Sequence, residues 1–261
     1  MPNGTTLVLT TWNMNGAYVD GLNKWTTAVQ TFMKTADIVC LQECGTLPGS
    51  SDEVKASETP SWLGKDPPND FGWNFAAWRP QSKRFQKDPY YILWGGTDRR
   101  LQKSSNLGIE GGKVNLAICS KRKPEYFLFA ESKFQNARPA IGISYKIDGK
   151  TVSFYTVHAW SRLQTHKDGG ADAESLILAI SDTHPADQFW AALGDYNRQI
   201  PFTLKPKSTD KHIKDCPSNF PTRKDRSLDY MYWSRDAVTL GDVNVRIMAS
   251  DHRSVTYSFG L

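Results

Sequence analysis

The chain has 261 residues, of which 39% are hydrophobic and 12% aromatic, including nine Trp. That composition builds a sizeable core and excludes a disordered chain, and no apolar run approaches the roughly 20 residues of a membrane-spanning helix. The net charge of +5 is modest but unevenly placed: basic clusters at 79–87, 98–103, 121–123 and 205–226 suit either a solvated face or attraction to a polyanion, nucleic acid or anionic lipid.

The N-terminal stretch MPNGTTLVLTTWN lacks a charged region followed by an apolar one. It reads as a polar lead into a strand and not as a signal peptide. In chain order, strands are predicted at Leu7–Trp12, Ile38–Gln42, Asn115–Cys119, Ala140–Ile147, Thr151–His158, Phe189–Leu193, Leu228–Trp233 and Ser254–Phe259. Each is short, rich in β-branched or aromatic residues and bounded by turn formers. IDGK at 147–150 supplies a two-residue hairpin turn. Helices are predicted over 22–36, where Leu22, Trp25, Val29 and Phe32 share a face, and over 169–184, where Ala173, Leu176, Ile177 and Ile180 do. The second has acidic residues in its first turn. Segments 46–70 and 201–226 read as long surface loops. No low-complexity linker divides the chain, so one domain over 1–261 is expected.

Cys40 and Cys44, on an extended segment, would lie roughly 13 Å apart, too far to bridge. Cys40 and Cys119 sit in apolar runs and read as small core residues. None of the four Cys shows zinc spacing.

The predicted elements contain a repeat. VLTTWNMNG, a helix and IVCLQE form one strand–helix–strand unit; SFYTVHAW, a helix and FWAALGDYN form another. The first carries Asn13 and Glu43 where its strands end, the second His158 and Asp195. Two similar halves can therefore face one cleft, beyond the carboxyl ends of strands where layered α/β folds bind ligands.

Six segments share a polar strand end: TTWNMNG, CLQE, TVHAW, LGDYNR, SLDYMYW and MASDHRS. Singly, most have ordinary explanations. Asn13 is a turn residue, His158 a core imidazole, Asp195 the start of an Asx turn. Asp229 inside an apolar strand is harder to explain, because a buried carboxylate needs a partner. Together, Asn13, Glu43, His158, Asp195, Asn197, Asp229, Asp251 and His252 form the oxygen-rich, imidazole-containing set that metal-assisted phosphate-ester hydrolysis requires, and hard oxygen ligands suit Mg²⁺. No GxSxG, Walker or dinucleotide motif competes. One general acid or base contributes roughly 10²–10⁴-fold, whereas phosphate-ester hydrolysis needs accelerations of about 10¹⁷ or more. A metal and fixed donors must supply the remainder.

TTWNMNG, VCLQECGTLPG, GGKVNLAICSKR, NARPAIGI, VHAW, GGADAESLI, LGDYNR, SLDY and SDH, in this order from residue 10 to 252, resemble the cytolethal distending toxin B branch of the deoxyribonuclease I-like endonuclease/exonuclease/phosphatase superfamily. LQE, GDYN and SDH are the superfamily's; KVNLAI and GTLP after LQE are the toxin branch's. The resemblance implies a four-layered α/β sandwich, with two packed mixed β-sheets flanked by helices. It implies Glu43, with Asn13 and Asp251 nearby, at the metal, and His158 and His252 as catalytic imidazoles, the latter oriented by Asp229. Asp195 would align the water, Asn197 would bind the phosphate, and Arg138, Asn115 and Arg198 would contact substrate phosphate. Lys113 stands where the toxins usually have Arg, a point charge in place of a fork. Residues 160–168 form an insertion carrying His166, taken as surface.

The expected reaction is Mg²⁺-dependent hydrolysis of DNA, with Mn²⁺ or Ca²⁺ as substitutes. Water activation is assigned to His252–Asp229 and Asp195, and charge stabilisation to His158. Leu193 lends rigidity, and Gly194 is read as letting the backbone turn close to substrate. A phosphoinositide phosphatase, a ribonuclease and a catalytically silent binding module are the alternatives. By the same resemblance the chain is a monomeric catalytic subunit, secreted and carried into a target cell by delivery subunits.

Overall fold

The computed structural model describes residues 5–81, 86–97, 114–134, 137–160, 171–199, 204, 213–216, 221–224, 226–234, 238–243 and 250–260, with 216, 238–243 and 259 as backbone only. Lys113, His166 and most of the basic clusters at 79–87, 98–103 and 205–226 lie outside these residues or at their margins.

The elements run β1 (Thr6–Asn13), β2 (Tyr18–Val19), β3 (Leu22–Asn23), a π-helical turn (Trp25–Val29) leading into α1 (Gln30–Thr35), then β4 (Ile38–Gln42), β5 (Ser51–Glu53), β6 (Ser61–Trp62), β7 (Trp73–Trp78) and β8 (Tyr90–Gly95). They continue with β9 (Leu116–Ser120), β10 (Tyr126–Ala130), β11 (Ala140–Ile147), β12 (Lys150–His158), α2 (Ala171–Thr183), β13 (Phe189–Asp195), β14 (Ile213–Cys216), β15 (Asp229–Ser234), β16 (Val238–Val243) and β17 (Val255–Gly260). One sheet has the order β16-β17-β1-β4-β9-β8-β7-β5, the other β14-β15-β13-β12-β11-β10-β6. Both are mixed: β1 runs parallel to β4 and β12 parallel to β13, while their other neighbours in the sheet centres are antiparallel.

Strand alternation sorts three apolar layers. Between the sheets pack Leu9, Ile38, Ile118 and Tyr257 from one and Ile141, Phe154, Leu193 and Met231 from the other. Trp12, Val39 and Leu41 turn outward onto Trp25, Val29 and Phe32 of the first helical segment. Tyr155, Trp190 and Ala192 turn outward onto Leu176, Ile177 and Ile180 of α2. The order helix, sheet, sheet, helix is thus the four-layered α/β sandwich. Each large apolar side chain buried this way contributes roughly 1.5–3 kcal/mol relative to exposure.

The two strand–helix–strand units are present as parallel pairs, with Asn13 opposite Gln42 and His158 opposite Asp195 in register. The IDGK turn is also present: Ile147 pairs with Lys150, and Asp148 and Gly149 have φ of 51° and 79°, the left-handed pair that a two-residue hairpin turn needs. Three expectations change. Leu22 is not helical; it sits 59% exposed in β3, because Asp20 and Gly21, with φ of 47° and 78°, close a second such hairpin between Tyr18–Val19 and Leu22–Asn23. The Asn23 carboxamide oxygen then accepts from the Trp25 N–H and starts the helix. Segment 46–70 is not all loop, since β5 joins the edge of one sheet and β6 the edge of the other. Gly194 keeps ordinary strand backbone, and its constraint is β12: a Cβ there would lie 2.7 Å from the Val157 carbonyl carbon and closer still to its oxygen.

Candidate active site

The inward-facing positions rise in tiers toward the carboxyl ends of the parallel strands. Leu9, Phe154, Leu193 and Met231 form an apolar floor. Above it lies a buried polar tier. Gln42 Nε2 donates to Thr156 Oγ1 at 2.9 Å and to Thr11 Oγ1 at 3.2 Å, and Thr156 Oγ1 donates to the Leu41 carbonyl at 3.2 Å. One further inward step reaches Asn13, His158, Asp195 and, across the antiparallel β13–β15 pair, Asp229. The period of two therefore places four functional side chains on one level.

Asn13 Nδ2 donates to Asp195 Oδ2 at 2.9 Å and to Glu43 Oε1 at 3.4 Å. His158 Nε2 lies 3.8 Å from both of these carboxylate oxygens. His252 Nε2 lies 3.7 Å from Asp195 Oδ2, and its Nδ1 is 2.7 Å from Asp229 Oδ2. Glu43, His158, Asp195, Asp229, His252 and Asn13 are thus brought together. Three residues around this cleft hold left-handed backbone: Asn15, Glu43 and Asn197, with φ of 52°, 48° and 53°. Asn tolerates that region; a Glu there is uncommon. Glu43 is held in it by the Gly16 N–H on its carbonyl at 2.8 Å, local strain of the kind that collects at functional sites.

The electrostatics separate the titratable groups. Burial, with the positive charges of Arg138 and His252, holds His158 well below the ordinary imidazole value. Burial works against charging His252 too, but its hydrogen bond to Asp229 and the charges of Asp229, Asp195 and Asp251 raise it to about 9. Burial and the Asp229 charge push Asp195 up to about 7, against the opposing pull of His252, the Asn197 N–H and Asn13. At neutral pH one imidazole is charged and the other neutral, with a carboxyl poised to exchange a proton between them. Environments that split pKa values in this way define acid and base partners.

Other expected site residues occupy different surroundings. Asn115 is buried and donates to the Gly45 carbonyl at 3.1 Å, buttressing the turn after Glu43. Asn197 Nδ2 donates to the Ala159 carbonyl at 2.8 Å. Half-buried Arg138 reaches the same carbonyl at 3.3 Å, and Arg198 is half-buried beside this turn. Asp251, with its side chain 43% exposed, pairs with Arg223 at 2.9 Å. Pattern reading overlooked Thr11, Gln42 and Thr156. It also overlooked Ser250, whose hydroxyl donates to the Asn13 carbonyl at 2.7 Å, and Trp94, whose indole donates to the Gly45 carbonyl at 2.8 Å. These are short polar residues or aromatics whose partners are remote in sequence, and no local pattern marks them.

A hard divalent cation needs oxygen donors and room for its own waters. Asp195, Asp229 and His252 offer ligand atoms within 4.8 Å of one another, but all three are buried and Asp229 Oδ2 is already bonded to His252. Glu43 is the open carboxylate, its side chain 21% exposed. Its Oε1 and Asp195 Oδ2 converge on the same Asn13 and His158 nitrogens, so the donor set fits a cation at Glu43. Asn13 fits less well as a ligand: its Oδ1 accepts from the Asn15 N–H at 3.0 Å, so its amide nitrogen faces the carboxylates.

Residues 10–252 match the Endonuclease/Exonuclease/phosphatase family. The chain belongs to this family. This family member is 27% identical over 232 residues to the cytolethal distending toxin B protein of Escherichia coli, covering 84% of this chain and 76% of that one. It is 26% identical over 211 residues to the cytolethal distending toxin B homolog of Salmonella typhi, covering 78% and 68%. Its fold is that of the Haemophilus ducreyi cytolethal distending toxin structure, with a TM-score of 0.69 at 23% identity over 96% of this chain and 97% of that chain. It is a deoxyribonuclease I-like phosphodiesterase, an enzyme of the nuclease-type hydrolases. Among the described residues no helix is long and apolar enough to cross a membrane.

Proposed function

We propose that this phosphodiesterase is a Mg²⁺-dependent deoxyribonuclease that cleaves DNA by in-line attack of water. The observation that carries the reading is the convergence of two carboxylates on His158 Nε2, with a third carboxylate fixing His252 beside them.

Glu43 would hold the ion, which when bound offsets phosphate charge in the transition state. Asp195 takes a proton from the attacking water; its value near neutrality suits that exchange at physiological pH. Asn13 and the Asn197 N–H fix the Asp195 carboxylate by hydrogen bonds of 2.9 and 2.7 Å. His252, charged at neutral pH and held by Asp229, stabilises the developing oxyanion and supplies the leaving oxygen with a proton. His158, neutral, presents Nε2 to the phosphate. This exchanges the two imidazoles relative to the assignment made from sequence. Arg138 and Arg198 are the rim cations for the backbone phosphates, while Asn115 and Asn197 position neighbouring turns. Asp251 is assigned to the Arg223 pair and Asn13 to carboxylate alignment, and neither is assigned to the ion.

The test is nicking of supercoiled plasmid with Mg²⁺ or EDTA, comparing the parent with His158→Gln and His252→Ala. The expected result is metal-dependent nicking that both variants lose by at least about 10²-fold. Undiminished nicking by both would refute the assignment. Turnover of RNA or soluble inositol phosphates in preference to plasmid would replace DNA as the substrate. The two toxin B relatives support reading the chain as a secreted, monomeric catalytic component that partner proteins deliver into a target cell.

A further inference from the structure

Thr222 is 1% exposed and lies outside every motif noted in the sequence. Its hydroxyl oxygen accepts from two backbone N–H groups, Leu228 at 2.9 Å and Asp229 at 3.1 Å. Its carbonyl accepts from the Arg253 N–H at 2.7 Å, and its own N–H donates to the Arg226 carbonyl at 2.9 Å. Leu228 in turn offers its carbonyl to the Tyr196 N–H at 2.9 Å. One buried threonine therefore joins the backbone beside three site residues: Asp229 itself, His252 through Arg253, and Asp195 through Leu228 and Tyr196. One residue on, Arg223 clasps Asp251 from the outside at 2.9 Å.

We propose that Thr222 is a positioning residue for catalysis, setting the distance and angle between His252 and the carboxylates of Asp229 and Asp195. The proposal rests on the hydrolase reading of this site. His252 is not on a sheet strand; it lies in the short segment before β17. That segment is fastened on one side to β1, through Ser250 on the Asn13 carbonyl and Trp12 Nε1 on the His252 carbonyl at 3.2 Å. Thr222 is the fastening on the opposite side, toward β15. Without its hydroxyl oxygen, two buried N–H groups lose their acceptor and the start of β15 is free to shift against the 250–253 segment. A displacement of about 1 Å at a reacting group costs about 10²-fold in rate.

The test compares Thr222→Val, which keeps the shape and loses the acceptor, Thr222→Ala, which leaves room for water, and Thr222→Ser, which keeps the hydroxyl. Two readouts are taken on full-length protein whose fold is checked by near-UV circular dichroism. One is kcat and KM for plasmid nicking. The other is the downfield proton resonance of the His252–Asp229 hydrogen bond, which needs no turnover. The expected result is a kcat lower by about 10–100-fold in the valine or alanine variant with KM unchanged, a shifted or lost resonance, and the serine variant close to the parent in both. A folded valine or alanine variant with parental kcat and resonance would overturn the proposal. So would serine failing to restore either readout, or failure of both acceptor-less variants to fold while the serine variant folds, which would make Thr222 a folding residue. If the parent itself cleaves no nucleic acid, the deoxyribonuclease reading fails, and the resonance still decides whether Thr222 sets the His252–Asp229 geometry.

Discussion

Asn13 and Asp195 are mirror parts of one junction. Asn13 Oδ1 accepts from the N–H two residues on, at Asn15, and Asp195 Oδ1 does the same with Asn197, at 3.0 and 2.7 Å. The atoms left over meet across the two sheets, Asn13 Nδ2 on Asp195 Oδ2 at 2.9 Å. Each strand thus ends in the same Asx turn, and each turn orients the other's side chain. The repeated strand–helix–strand units are what allow a carboxamide from one half to complete a carboxylate from the other.

Replacing Asn13 by Asp tests this junction. Asp195, with a folded pKa of about 7 against about 3.9 unfolded, already costs stability as pH rises through that interval. Asn13→Asp removes its amide donor and adds a like charge beside it and Glu43. Urea denaturation in EDTA should show the variant near the parent at pH 4 and less stable by about 1–3 kcal/mol at pH 8. A loss equal at both pH values would mean that packing, and not charge, is what Asn13 provides.

Asp229→Asn addresses His252. The parent imidazole, raised to about 9 from about 6.5, contributes stability that is fully present below pH 6.5 and lost as pH rises through 9. Both side chains of the pair are almost wholly buried, so solvent screening is weak. Nuclear magnetic resonance titration of the metal-free protein should move the His252 midpoint downward in the variant and flatten the stability profile between pH 6.5 and 9. Nicking at pH 7 should fall by at least about 10²-fold. An unmoved His252 midpoint would show that Asp229 does not set its charge.

His158 titrates on the other side of neutrality. Its folded value is depressed by burial, Arg138 and His252, so its contribution to stability is full above about pH 6.5 and is lost as pH falls from there through the depressed value. His158→Gln should abolish that acid-side loss while keeping the fold, as read by thermal melts from pH 7 to 4. Parallel melting curves for parent and variant across this range would contradict a neutral, buried His158.

Much of this site was legible because a strand alternates every residue and the polar strand ends break an apolar rhythm: Asp195 after Leu193 and Asp229 before Met231 announce themselves as inward carboxylates. The central strands were legible for the same reason, and the IDGK turn because its φ demands are local. What was not legible depended on partners remote in sequence. β7, β8 and β10 went unread although WNFAAW, YYILWG and YFLFA are aromatic and apolar. Leu22 fits a helical face, but the Asp20–Gly21 turn claims it for a hairpin. Gly194 looked like a hinge until the Val157 carbonyl appeared against it. Asn115 and Asn197 carry polarity that any ligand-binding reading would accept; only their bonds to the Gly45 and Ala159 carbonyls show that each also braces a turn.

Glu43→Gln tests the ion's place apart from turnover. If the ion sits at Glu43, Mg²⁺ should raise the melting temperature of the parent by mass action and leave the glutamine variant unmoved, with calorimetric heats lost in parallel. Asp251→Asn, at the Arg223 pair, should keep the Mg²⁺ response. Equal Mg²⁺ shifts in parent and Glu43→Gln would move the ion to the buried Asp195–Asp229–His252 group.

Gly194→Ala probes the scaffold that delivers Asp195. The added methyl would sit 2.7 Å from the Val157 carbonyl carbon, closer still to its oxygen, and 2.9 Å from the Val157 nitrogen, all rigid backbone atoms in the centre of a sheet. No rotamer relieves that clash, so β12 and β13 must separate at the pair next to His158 and Asp195. The expected cost is about 3 kcal/mol or more, together with loss of nicking in whatever fraction remains folded. The measurement is denaturant unfolding against Gly142→Ala, whose Cβ would meet the Phe154 oxygen at 2.6 Å in the same sheet but farther from the site. Both variants should be destabilised, and only Gly194→Ala should also lose activity per folded molecule, because its clash lies between the strand ends that carry the imidazole and the carboxylate.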